Sequence, residues 1–101
     1  SLILMNSDFL LEQGECLAQR VEKASTDIKA QIDLAWRLVF SRPPETMELE
    51  QAAAFLHDQT AAFKAAAPKA TAGKPAKSPG LLAMANLCQA LLSSNEFLYV
   101  D

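Results

Sequence analysis

"STDIKAQIDLAWRLVFSRPP", residues 25–44, opens on three capping residues and closes on two prolines. Between them Ile28, Ile32, Ala35, Trp36 and Val39 recur at i, i+4, i+7, i+8 and i+11, the period of an amphipathic helix. Ser25, Thr26 or Asp27 can accept a bond from the free N–H groups of the first turn, and Pro43 pushes the residue before it out of the helical region. Leu34, Leu38 and Phe40 widen the apolar arc. So wide an arc predicts a central helix that touches neighbours on more than one side.

Helical patterns continue on both sides of this stretch. Upstream, "MNSDFLLEQGECLAQRVEKAS" predicts a helix over Ser7–Ala24, with Asn6 or Ser7 as cap and Asp8 and Glu12 at its positive end. Its stripe is Leu10, Leu17, Val21 and Ala24, with Phe9 at the flank. Gly14 falls on the same stripe, where a glycine is either tolerated or lets another backbone approach closely. Downstream, "ETMELEQAAAFLHDQTAAFKAAA" carries Leu49, Ala52, Ala53, Leu56, Thr60 and Phe63 on one face. After it "PKATAGKPAKSPG" has no period and reads as a flexible linker over 67–80. "LLAMANLCQALLSS" is the last helix, with Leu81, Met84, Ala85, Cys88, Leu91 and Leu92 in a narrow arc and Asn86, Gln89 and Ser93 opposite. Ser93, Ser94 and Asn95 then end the helix or cap a further turn.

The chain has 101 residues, enough for one modest core, and its apolar half is rich in alanine rather than in β-branched residues. The fold class is therefore all-α: a single small domain over 1–101, about four helices in a mainly antiparallel bundle with a Lys/Pro/Ala linker before the last one. The formal charge of −3 hides an asymmetry, because Lys64, Lys69, Lys74 and Lys77 stand together; without these four the remainder carries −7. So acidic a helical body argues against nucleic acid as a partner, and the lysines read as solubilisation of the linker. No run reaches the ~18 to 20 apolar residues of a membrane span. The abrupt apolar start, "SLILMN", suggests a domain excised from a longer protein.

Candidate chemistry is sparse. Cys16 and Cys88 form no CxxC, haem-attachment or zinc spacing, and their pairing is left open. His57 has no second His, Cys or facing carboxylate at helical spacing and reads as a surface residue, Glu12, Glu15, Glu48 and Glu50 as solvated faces, and Trp36 as core. No catalytic, cofactor-binding or metal-binding residue is expected. Arg42, at the end of a helix, is the exception. It is either a plain exposed helix-end arginine or the anchor of a structural latch in which it holds the C-terminal corner through Glu96, with Asn95 turning the chain and Phe97 with Tyr99 or Leu98 folding back onto the core. A short echo between "LMNSDFLLE" and "LLSSNEFLYV" suggests two similar corners without amounting to a repeat.

The pieces "LMNSDFLLEQ", "AWRLVFSRPPETMELEQAAAFL" and above all "LCQALLSSNEFLYVD" resemble the C-terminal domain of unknown function found in large planctomycete proteins, often alongside a cytochrome c-like domain. The resemblance implies threonine-proline after the double proline, where this chain has Glu45 and Thr46, a departure at the start of the third helix. The resemblance implies a natural C-terminus at or near Asp101, a missing upstream remainder, and export to a periplasmic or extracytoplasmic site. It supplies no catalytic residues, and any haem would sit in another domain. Two functional classes follow. One is a non-catalytic interaction or scaffolding module that binds the rest of its parent chain or another protein, its apolar ends also suiting a homodimer. The other is an accessory domain completing an enzymatic or cytochrome-linked redox site upstream, which carboxylates lining a cleft beside His57 would favour.

Overall fold

The computed structural model describes residues 7–66 and 77–98, which form four helices: α1 Ser7–Ala24, α2 Ile28–Phe40, α3 Thr46–Ala65 and α4 Pro79–Leu98. The all-α bundle expected from alanine-rich helical periodicity is the observed fold, and no strand occurs among the described residues. Local chemistry accounts for the boundaries. Asp27 is the cap of α2, its carboxylate accepting from Ala30 N–H at 3.2 Å. The buried Gln31 donates to Ser25 O at 2.6 Å and so ties the helix to the turn before it. At the other end Ser41 takes the left-handed conformation (φ 60°, ψ 26°) and its N–H closes on Arg37 O at 3.0 Å. Pro43 and Pro44 then hold the chain extended until α3 begins.

The last helix is longer than its period suggests. Ser78 caps it by accepting from Leu81 N–H at 3.2 Å, and Pro79 occupies the first helical position, where its missing N–H costs nothing. Pro79 and Gly80, expected in the linker, are thus helical; residues 67–76 of that linker lie outside the described residues. At its far end α4 passes through Ser93, Ser94 and Asn95 to Leu98 instead of turning at Asn95. Serine and asparagine are only weak helix breakers, and their side chains cap a helix end just where the backbone offers one.

α4 is the central helix, although α2 also meets all three of the other helices, as its broad arc predicts. α4 packs most extensively on α1, next on α3, and also meets α2. Among the described residues it supplies six of the thirteen buried apolar ones: Ala83, Met84, Ala85, Leu87, Cys88 and Leu91. Ala83 and Leu87 widen its apolar arc to about 200°, beyond the narrow stripe visible in the larger side chains. α2 buries Ile32, Ala35 and Trp36 but leaves Ile28 46% and Leu38 38% exposed, so its broad apolar arc does not measure its burial. α1 contributes Ala18 and Val21, with Ala24 exposed, and α3 contributes Ala52 and Leu56. Full burial of Ile32 and Met84 is worth roughly 1.5–3 kcal/mol each.

Two close contacts set the geometry around α4. A Cβ built on Gly14 would stand 2.9 Å from Ala85 O and 3.1 Å from Gln89 Cβ, so the glycine on α1 is there for the approach of α4. On the α3 side Asn86 Nδ2 donates to Gln59 Oε1 at 3.0 Å, which satisfies two half-buried amides facing each other across the helices. Lys77, just before α4, pairs with Glu15 of α1 at 2.6 Å.

Candidate functional site

The best-organised polar cluster is the corner between α2 and α3. Arg42 leaves α2 through the left-handed Ser41 and reaches forward over the double proline. Its guanidinium forks onto Glu48, Nη1 to Oε1 at 2.8 Å and Nη2 to Oε2 at 3.1 Å, while Nη1 also donates to Pro43 O at 3.1 Å. Glu48 Oε1 accepts in turn from Glu45 N–H at 2.8 Å, as the third-position glutamate of a capping box does. One carboxylate therefore both stops the α3 N-terminus from fraying and fastens it to the end of α2.

Aromatic rings form the floor of this corner. The Arg42 guanidinium lies 5.7 Å from the centroid of Phe40, within cation–π range, and Phe40 is tilted 49° against Trp36 at 6.0 Å. Trp36 is 6% exposed, and its Nε1 is buried without a hydrogen-bond partner among the described residues. Several effects act on the charge of Glu48. The Arg42 hydrogen bond is the largest, the Glu45 N–H comes next, and together they hold the Glu48 carboxyl at about 2 against partial desolvation. The same bond raises the Arg42 pKa. A general acid or base works best with a pKa near the ambient pH, so Glu48 is built as a fixed anion and not as a proton carrier.

Arg42 thus has its carboxylate partner six residues away. Of the other latch residues, Asn95, Glu96 and Phe97 lie in the helical backbone of α4 with side chains outside the described part, and Tyr99 lies outside the described residues altogether. By its spacing alone Glu48 belongs to a solvated face; the structure makes it the partner of Arg42 instead. The signal that finds it is the spacing Arg42-Pro-Pro-Glu45-x-x-Glu48, a cation before a proline stop followed by a capping-box glutamate.

Grooves among the described residues bear on His57 and Cys16. His57 is exposed and borders a cavity of about 370 Å³ between α2, α3 and α4, walled by Ile28, Ala53, Leu56, Thr60 and Gly80. A second, of about 270 Å³, lies between α1, α2 and α4 under Leu17, Leu38, Val39 and Leu92, with Cys16 and Arg20 at its rim. Cys16 and Cys88 are separate free thiols, the first exposed and the second buried, with burial pushing the Cys88 thiol up to about 12. Among the described residues no group of three His, Cys, Asp or Glu side chains is placed to hold a metal ion. No helix there is long and apolar enough to cross a membrane.

No curated protein and no solved structure matches the chain. A family model does, over residues 1–56, which takes in α1, α2, the Arg42–Glu48 corner and the first half of α3. With more than half of its length matched, the chain belongs to that family, PSD1, described as a protein of unknown function (DUF1553).

Proposed function

We propose that the chain is a non-catalytic docking module, the C-terminal domain of a large exported planctomycete protein, and that it binds the rest of its parent chain or another protein. The observation that carries this reading is the cavity beside His57. Its walls are aliphatic and small, and Ile28 stands 46% exposed at its edge, an arrangement that suits an inserted apolar side chain. The other reading, an accessory domain completing an enzymatic or cytochrome-linked redox site upstream, needs carboxylates in that cleft. Ile28, Ala53, Leu56, Thr60 and Gly80 occupy its walls instead, which favours docking.

Hydrogen exchange tests the proposal by comparing this chain alone with the same residues inside the full-length parent. Docking predicts slower exchange in the parent for amides around Ile28 and along 53–60, and an Ile28→Asp substitution in the parent returns them to the rates of the isolated chain. Equal rates in both contexts would sink docking onto the parent chain.

A further inference from the structure

We propose that the outward face of α1 is a self-association surface, on which a second copy of this chain packs antiparallel about a twofold axis beside Cys16. Phe9, Glu12, Gln13, Cys16, Arg20 and Lys23 recur at intervals of three or four residues and fall within about 100° of the helix surface. All six are exposed, Phe9 by 47%, while the opposite face of α1 buries Gly14, Ala18 and Val21 against the bundle. The stripe is self-complementary in charge. Glu12 precedes Cys16 by four residues and Arg20 follows it by four; Phe9 and Lys23 lie seven to either side.

A twofold axis at Cys16 therefore sets Glu12 of each copy against Arg20 of the other, twice over, and brings each Phe9 to the Arg20–Lys23 end of its neighbour. That end adjoins the apolar groove of Leu17, Leu38, Val39 and Leu92. A parallel pairing would oppose Glu12 to Glu12 and Arg20 to Arg20, so the charges select the antiparallel one. Among the described residues neither Glu12 nor Arg20 forms an ion pair within its own chain. The arrangement closes on itself as a dimer and does not propagate. One helix pair buries less than the ~1,200 Å² of a standard interface, so association is weak and depends on concentration and salt. This surface is independent of the Ile28 cavity, and a monomeric chain would leave the hydrogen-exchange test of parent docking untouched.

Sedimentation equilibrium over rising protein concentration tests the proposal. The wild-type chain is expected to pass from monomer to dimer, Glu12→Arg and Arg20→Glu each to weaken the dimer by about tenfold, and the double variant to recover it. A short bismaleimide is expected to join Cys16 to Cys16 in the wild type and to join nothing in Cys16→Ser. All three substitutions lie at exposed positions, and circular dichroism checks that each variant is folded. A chain that stays monomeric at every concentration overturns the proposal. So does a dimer that survives both single charge reversals, or a folded double variant that stays monomeric.

Discussion

Gly14 sets how closely α1 and α4 approach. Alanine there would gain roughly 1 kcal/mol of helix propensity, yet its methyl would meet a backbone carbonyl at 2.9 Å and the backbone N of Gln89 at 3.1 Å, neither of which is the free end of a side chain. Overpacking of this kind costs about 1–3 kcal/mol, so α1 and α4 must part along their most extensive contact. Gly14→Ala is accordingly expected to lower stability by up to about 2 kcal/mol net, read as a lower urea midpoint with unchanged slope. A midpoint that rises would show that the helices separate freely and that only propensity counts. The glycine could be singled out in the sequence because it interrupts a helical stripe. Ala18 and Ala83, both fully buried, could not, since a methyl group adds little to any apolar period and its burial depends on which neighbour comes close.

At the scale of the element, the turn from α2 to α3 depends on the charge of Glu48. Its carboxyl stays ionised down to about pH 2 in the folded protein, whereas in the unfolded chain it takes up a proton near its ordinary value of 4.5. Between these values the unfolded state binds more protons, so the contribution of the corner is complete above pH 4.5 and is lost as pH falls toward 2. Glu48→Gln keeps the size of the side chain and removes the charge. Because the pair is partly exposed and screened by solvent, the expected loss is modest, about 2–4 °C in Tm at pH 7. The gap between wild type and variant should close on acidification to pH 2; a gap that is constant with pH would assign the effect to packing. Much of this corner is legible: the proline stop and Arg42 both stand out in the sequence. The partner of Arg42 does not, because a fork that closes over six residues competes with every other carboxylate until the turn between them is known. The end of α4 was misread for a related reason, since Ser93, Ser94 and Asn95 signal a cap only where the helix has already stopped.

Across the whole molecule, α4 holds the bundle together: it packs on each of the other three helices and carries nearly half of the buried apolar residues among those described. Sequence alone placed that role on α2, because bulky residues all around a helix look like burial whereas the alanines of α4 do not. Cys88 gives a direct test, since it is fully buried near the middle of α4 and its thiol is pushed up to about 12. A thiol so placed reacts only after the structure opens. If α4 is the shared core of all three helix contacts, no local opening exposes Cys88, and its labelling should proceed at the rate set by global unfolding. Cys16, exposed on α1, should react at once in the native state. The expected result with a chromogenic disulfide reagent is one fast thiol and one slow one. The slow rate should rise with urea along the same slope as the equilibrium unfolding transition. A slow phase that is insensitive to urea would mean that α4 detaches locally, and the bundle would then have to be held by α1, α2 and α3 without it.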